Sequence, residues 1–121
     1  MSVDVFVSDT GVDIDLRGMD MVLCLARHLH LGIGDIVRAQ VAPVRGLRDE
    51  IGWRFGGAAW PGALTTGWYT VRGLKGRRQL WCVYRDPEVL VIDTTLPKPS
   101  RVVLQHPDRH DLAWYIGERL A

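Results

Sequence analysis

The stretch WPGALTTGWYTVRGLKGRRQLWCVY, residues 60–84, decides the fold. Two of its segments, 63–71 and 78–84, are rich in the aromatic and β-branched residues that favour strands. The glycine-rich segment 73–77 between them predicts a turn, so the stretch is expected to form a β-hairpin. Similar strand and turn segments recur along most of the chain, which is typical of a β-barrel or a β-sandwich.

The N-terminal part of the chain predicts another hairpin. Valine, isoleucine and leucine alternate with other residues over 3–7 and 12–16, on either side of a turn at residues 8–11. The apolar segment 19–26 follows this hairpin. It fits either a strand or a short helix, because a short apolar run has no period that separates the two.

The middle of the chain combines two strands with a glycine-rich segment. Strands are predicted at 27–31 and 36–41, and the segment 43–62 then holds five glycines, two prolines and two tryptophans. Structureless loops of this length are uncommon in compact domains. The segment therefore either contains a short strand, at 53–55, or forms a functional loop, and both alternatives stay open.

The C-terminal part predicts two more strands, at 89–93 and 102–105, and then a helix. Pro107 suits the first helical position, and the acidic residues after it lie near the positive end of the helix dipole. One face of this helix is apolar and consists of Leu112, Ala113, Ile116 and Leu120. We therefore predict a single domain over residues 1–121, with seven or eight strands and a helix that closes the open end of a curled sheet.

In their order, these elements resemble the bacterial pleckstrin-homology-like domains, particularly the small stand-alone actinobacterial type. The resemblance covers nearly the whole chain. It rests on the opening hairpin, the glycine-rich segment and the strings HLGIGDIVRAQVAP (30–43), TTGWYT (65–70), RRQLWCVYRDPEVLVID (77–93) and RVVLQHPDRHDLAWYIGERL (101–120). It implies a mainly β fold, a strongly bent antiparallel barrel of about seven strands capped by a C-terminal α-helix, that serves as a binding or assembly module.

The first loop departs from the pattern of that family. Eukaryotic relatives that bind inositol phosphates carry basic residues between their first two strands. Here residues 8–11 are SDTG, a short and acidic loop. The sequence therefore argues against an inositol phosphate site at this position.

Composition excludes a global electrostatic function. The 121 residues carry a net charge of +1, so any attraction to an anionic partner depends on local clusters. Cys24 and Cys82 lie in apolar segments, which favours buried thiols over a disulfide. The N-terminus lacks the features of a signal peptide, and the longest apolar run, 21–26, is far shorter than the roughly 20 residues of a membrane span. We expect a cytoplasmic protein.

The strongest candidate site is a basic cluster in the hairpin of residues 60–84. It consists of Arg72, Lys75, Arg77 and Arg78, which hold four of the fifteen positive charges within seven residues. An anionic lipid surface attracts each basic residue near it with roughly 1 kcal/mol. The alternative is a solubilising hairpin tip, whose charges keep an edge strand from pairing with another chain.

Three tryptophans form the second candidate site. Trp53 and Trp60 lie in the glycine-rich segment, and Trp68 lies in the strand that follows it. Large aromatic side chains dominate the energetics of protein interfaces, so the three are predicted to contact a protein partner. Equally, such side chains could fold back and cover the barrel.

Two histidine pairs have spacings that can hold a metal ion. His28 and His30 share one face of a strand, and His106 and His110 lie one helical turn apart. Neither pair is accompanied along the chain by cysteines or carboxylates that would complete a ligand set. We therefore predict exposed histidines and no metal site.

No catalytic pattern is found in the sequence. It contains no GxSxG, no GxxxxGK[ST] phosphate loop and no dinucleotide-binding GxGxxG. Asp13 and Asp15 lie on the outer face of a strand, without the apolar pocket that raises a carboxyl pKa. We expect no enzyme and no cofactor, but a binding or assembly module for a protein partner or a second copy of the chain.

The alternative function is a peripheral membrane module that contacts anionic lipid through the basic cluster. Nucleic acid is disfavoured as a partner, because the cluster is small and Asp86 and Glu88 lie close to it in sequence.

Overall fold

A computed structural model describes residues 3–18, 27–60, 64–85 and 87–120, without the side chains of residues 53–60 and 64. The segment 19–26, for which strand and helix were both open, lies outside the described residues. Cys24 lies in that segment, whereas Cys82 is fully buried, as its apolar surroundings in the sequence predicted.

The described residues form nine strands. They are β1 Val3–Val7, β2 Gly11–Leu16, β3 His28–Gly32, β4 Ile36–Pro43, β5 Ile51–Trp60, β6 Leu64–Val71, β7 Leu74–Val83, β8 Glu88–Thr94 and β9 Arg101–Leu104. Their hydrogen bonds define a three-stranded sheet, β1-β2-β3, and a six-stranded sheet in the order β4-β8-β9-β7-β6-β5. The C-terminal helix Arg109–Leu120 follows the last strand. The predicted mainly β fold with one C-terminal helix is confirmed.

The three-stranded sheet is antiparallel and contains the predicted N-terminal hairpin. Its first two strands pair from Val3 with Leu16 to Val7 with Val12. The turn closes with a backbone hydrogen bond of 2.9 Å from the Ser8 amide to the Gly11 carbonyl. A side chain at Gly11 would collide with the backbone of β3, which explains the glycine at this position.

The six-stranded sheet contains one parallel pair, β7 with β9, among otherwise antiparallel neighbours. Strands β7 and β8 are connected by a short turn but are not neighbours in the sheet. The chain reverses again at residues 95–100, and β9 enters the space between β7 and β8, so it runs parallel to β7. The strand count of nine and this parallel pair differ from the expected seven-stranded antiparallel arrangement.

The glycine-rich segment 43–62 is largely regular structure. A four-residue helix, Val44–Leu47, and a 3₁₀ turn, Arg48–Glu50, lead into β5, which pairs with β6. The expectation of a strand inside this segment is confirmed, and the strand is longer than residues 53–55. Val44 and Leu47 are buried and pack into the core, which anchors the start of the segment.

Buried residues form two apolar clusters. Strand β7 contributes to both clusters, because successive side chains of a strand point to opposite faces. Leu80 lies in the first cluster and Trp81 in the second. The C-terminal helix contacts β4, β8 and β1 and completes the first cluster with Leu112 and Ile116. Burial of one such side chain stabilises the fold by about 1.5–3 kcal/mol.

The helix has the apolar face that the sequence predicts, since Ala113 and Leu120 also pack against this cluster. In the described part of the chain, no helix has both the length and the apolar character needed to cross a membrane. The expected cytoplasmic location stays a prediction.

Candidate anion-binding tip at the β6–β7 turn

The turn between β6 and β7 is shorter than the turn predicted at residues 73–77. Val71 pairs with Leu74, so only two residues form the turn, whereas the next pair is Thr70 with Arg78. Residues 75–77 of β7 consequently have no partner on β6 and form a bulge. The basic cluster is therefore presented by a tight turn followed by a bulge, and not by a single turn over residues 73–77.

Two glycines allow the backbone to form this tight turn and the bulge after it. Gly73 in the turn and Gly76 in the bulge have φ angles of 82° and 75°. Residues with side chains rarely adopt this left-handed region, whereas glycine enters it without steric cost. The chain can therefore reverse at Gly73, between Arg72 and Leu74, and bend again at Gly76, between Lys75 and Arg77.

The outermost part of the tip combines charge with an apolar side chain. Arg72 and Lys75 are exposed, and Leu74 between them is 53% exposed. None of the ion pairs formed among the described residues involves Arg72 or Lys75. Their charges are thus not neutralised by a carboxylate of the described part of the chain.

The other two members of the basic cluster are half-buried and contribute to the fold. Arg77 Nη1 donates to the carbonyl of Leu96 at 3.5 Å. The backbone amide of Arg78 donates to the carbonyl of Pro97, and its carbonyl accepts from the amide of Ser100, both at 2.8 Å. These bonds attach the bulge to the loop 95–100.

Two adjoining grooves lie beside the tip and share Val71 and Leu74. The larger has a volume of about 850 Å³ and is lined by residues that include Gly52, Thr70, Arg72, Leu74 and Lys75. The smaller has a volume of about 420 Å³ and is lined by residues that include Val37, Arg38, Arg77, Asp93 and Arg101. The basic cluster thus borders concave surface as well as the exposed tip.

An ion-pair network crosses the smaller groove. Arg101 donates from Nε to Asp93 at 2.7 Å and from Nη1 to Glu50 at 2.5 Å, and Arg38 Nη2 lies 3.1 Å from Asp93. Burial acts to lower the pKa of Arg101, but the hydrogen bonds and charges of Asp93 and Glu50 outweigh burial and raise it. Arg101, at the start of β9, therefore stays charged and links the 3₁₀ turn before β5 to β8.

Below this network lies Gln79, a fully buried polar side chain with its groups satisfied. Its Nε2 donates to the carbonyls of Glu50 and Thr70, each at 3.1 Å, and its Oε1 accepts from Trp81 Nε1 at 2.9 Å. A buried polar group is stable only when it is paired in this way. Gln79 thus fixes the position of the tip relative to the sheet.

The three tryptophans that the sequence suggested as partner contacts have different positions. Trp68 is only 8% exposed and packs in the first apolar cluster, with Lys98 Nζ 4.9 Å from its ring centroid. Most of the surface of the Trp68 side chain is therefore buried in the core. Trp53 and Trp60 belong to β5, but their side chains lie outside the described residues, so their role in partner contact stays a prediction.

An aromatic pair on the C-terminal helix was missed by the sequence analysis. Trp114 is 61% exposed and Tyr115 47% exposed, and their rings meet edge-to-face at a centroid distance of 5.4 Å. The helical period contained the signal: two residues after Leu112, at about 100° per residue, Trp114 must point away from the apolar face. An exposed tryptophan of this kind is a candidate partner contact.

The outer face of the three-stranded sheet brings together residues that the sequence analysis treated separately. We call Asp13, Asp15, His28 and His30 the His–Asp cluster. His28 Nδ1 lies 2.5 Å from Asp15 Oδ1, and Asp13 Oδ1 lies 2.8 Å from His30 Nδ1 and 3.2 Å from His28 Nε2. The signal was the D-x-D motif of β2 opposite the H-x-H motif of β3, but recognising it requires the strand register.

These contacts change two pKa values. The hydrogen bond to Asp15 raises the pKa of His28 above its ordinary 6.5. The hydrogen bond to His30 lowers the pKa of Asp13 below its ordinary 3.8. These contacts therefore favour the imidazolium form of His28 and the carboxylate form of Asp13.

The second histidine pair is not brought together in this way. His106 Nδ1 accepts a hydrogen bond of 3.0 Å from the backbone amide of Asp108 and so supports the turn before the helix. His110 lies exposed at the start of the helix. As the side chains stand, no three His, Cys, Asp or Glu residues of the described ranges surround a metal position.

Comparisons with protein-family models, with curated proteins and with solved structures found no match for this chain. The resemblance to pleckstrin-homology-like domains therefore stays a prediction.

Proposed function

We propose that the chain is a non-catalytic, peripheral membrane module that binds anionic lipid surfaces with its β6–β7 tip. One observation carries the proposal: Leu74 is 53% exposed at the outermost turn, and the exposed basic residues Arg72 and Lys75 flank it. An apolar side chain between two cations matches the interface of an anionic bilayer, where charged headgroups lie above hydrocarbon.

A second exposed apolar side chain supports the same orientation. Val37, at the start of β4, is 60% exposed and borders the smaller groove together with Leu74. Arg38 and Arg77 line that groove as well. The smaller groove therefore places two exposed apolar side chains, Val37 and Leu74, beside Arg77 and beside Arg38, which is paired with Asp93.

The magnitudes predict weak and reversible binding. Each basic residue near an anionic surface contributes about 1 kcal/mol, so Arg72 and Lys75 together contribute about 2 kcal/mol. Burial of an exposed leucine adds at most about 1.5–3 kcal/mol. Neither contribution alone holds a protein on a membrane, and their sum is comparable to that of a single lipid anchor.

The proposal is tested by co-sedimentation of the purified chain with vesicles. Anionic and neutral vesicles are compared in low salt and in about 1 M salt, where the Debye length falls to about 3 Å. We expect binding to anionic vesicles in low salt and loss of this binding in high salt. Equal binding to neutral vesicles would contradict it.

The second candidate function is association with a protein partner or a second copy of the chain. The observation that favours it is the exposed pair Trp114 and Tyr115, which is remote in sequence from the tip. Sedimentation velocity over a range of concentrations tests self-association. A concentration-dependent dimer that Trp114→Ala abolishes supports this candidate, and a monomer at all concentrations opposes self-association.

A further inference from the structure

The register of the three-stranded sheet places potential metal ligands on one exposed surface. Asp13 pairs directly with His30, and Asp15 with His28, so each aspartate faces a histidine across β2 and β3. Residues two apart on a strand share a face, and the Cβ atoms of direct partners are about 5 Å apart. The pairing of β2 with β3 therefore places the four residues of the His–Asp cluster next to one another on one face of the sheet.

The donor atoms of the cluster lie close to the spacing that a metal requires. Asp13 Oδ1 lies within 3.2 Å of a nitrogen from each histidine. Ligand atoms of a tetrahedral zinc site, each about 2.0–2.2 Å from the metal, are about 3.3 Å from one another. Both distances from Asp13 Oδ1 are shorter than this ligand spacing, so the side chains must move apart to accept an ion.

In the arrangement that the structure describes, hydrogen bonds join the four side chains, and no three His, Cys, Asp or Glu residues of the described ranges surround a metal position. Metal ions and protons compete for the same lone pairs of imidazole and carboxylate. All four side chains are about one third to one half exposed. Rotations of these side chains can therefore open the cluster without moving a strand.

We propose that the His–Asp cluster is a binding site for a divalent transition metal ion of the zinc type. Both imidazoles and at least one carboxylate ligate the ion, which links β2 to β3. Imidazole with carboxylate suits Zn²⁺, Ni²⁺ and Cu²⁺, whereas Mg²⁺ and Ca²⁺ take oxygen ligands. The sequence predicted no metal site because it lacked a carboxylate set beside His28 and His30, and the sheet register supplies that set.

The chain contains a matched control for this proposal. His106 and His110 are also two histidines at a spacing compatible with a metal, but none of the ion pairs among the described residues joins either of them to a carboxylate. Loss of two histidines there changes the histidine content by the same amount without touching the His–Asp cluster.

The test is isothermal titration calorimetry with Zn²⁺ alone, on the whole chain after chelator treatment. The wild type is expected to bind one ion, and H28Q/H30Q to lose binding by at least about tenfold in Kd. H106Q/H110Q is expected to bind as the wild type does, and Mg²⁺ to produce no saturable heat. Asp13→Asn, which keeps the size of the side chain, is expected to weaken binding about tenfold or more.

A second readout is independent of the fold of any variant. In wild-type protein, Zn²⁺ is expected to shift the ring resonances of His28 and His30 and to leave those of His106 and His110 in place. The proposal is overturned if the wild type shows no saturable binding, if H28Q/H30Q binds as tightly as the wild type, or if the shifted resonances are those of the other pair.

Discussion

Val71 and Leu74 are direct partners across the β6–β7 turn, while the adjacent Thr70 pairs with Arg78. This jump in register forces Lys75, Gly76 and Arg77 out of the ladder. A regular hairpin would place these residues within the sheet. Arg72, Leu74 and Lys75 are exposed at this tip, and this geometry is the basis of the proposed membrane contact.

The first prediction concerns the apolar part of the tip. Leu74→Ala removes about three carbon atoms, each worth about 0.8 kcal/mol when buried in lipid. Because the side chain is only partly inserted, we expect affinity for anionic vesicles to fall about tenfold, which corresponds to about 1.4 kcal/mol. Stability should change by less than about 0.5 kcal/mol, since the residue is exposed. Unchanged vesicle affinity would exclude Leu74 from the contact.

The second prediction concerns the support below the tip. Gln79→Ala removes the hydrogen bonds to Glu50, Thr70 and Trp81 that a fully buried side chain makes. We expect a loss of about 2–4 kcal/mol in the free energy of unfolding, measured with urea. Arg85→Ala is the control, because Arg85 is exposed, and it should cost less than about 0.5 kcal/mol. Equal stability of the two variants contradicts the role assigned to Gln79.

The third prediction compares neighbours on the C-terminal helix. Ile116 is fully buried in the first apolar cluster, whereas Tyr115 is 47% exposed. Ile116→Ala should destabilise the fold by about 2–5 kcal/mol, and Tyr115→Ala by less than about 0.5 kcal/mol. Thermal and urea unfolding check the pair. A reversed order would mean that the helix packs with a different face.

The fourth prediction concerns pH and is made for the metal-free protein in the presence of a chelator. His28 should titrate above 6.5 by NMR, and Asp15→Asn should return its pKa toward 6.5, because Asp15 is the largest cause of the shift. A folded pKa above the unfolded value means that the stabilisation is present in full below about pH 6.5 and is lost as the pH rises through the folded pKa. A pKa that Asp15→Asn leaves unchanged would refute the pairing.

Local pattern was sufficient for some elements of this fold. The alternation over residues 3–16 predicted the first hairpin, and the spacing of Leu112 and Ile116 predicted the buried face of the helix. Both signals arise from side chains that are close in sequence, so that hydrophobic periodicity reports them directly.

Local sequence pattern did not predict the order of the strands or their register. The position of β9 between β7 and β8 depends on pairing across the sheet. The bulge at residues 75–77 depends on which residue of β6 faces Arg78, and the His–Asp cluster depends on the pairing of β2 with β3. Periodicity identifies a strand but does not specify its neighbour, so the basic cluster could be predicted as a set but not in its geometry.

The most direct measurement compares two charge reversals in the vesicle assay. Arg72→Glu with Lys75→Glu reverses the exposed charges of the tip. Arg45→Glu with Arg85→Glu reverses the same number of exposed charges, and Arg85 lies beyond the far end of β7, a ten-residue strand about 30 Å long.

We expect the tip variant to lose binding to anionic vesicles in low salt, whereas the control variant should retain most of it. Both variants have the same net charge, so that a difference between them cannot arise from overall repulsion. Equal loss in the two variants, or full binding by the tip variant, would contradict the proposal that the β6–β7 tip is the membrane-binding surface.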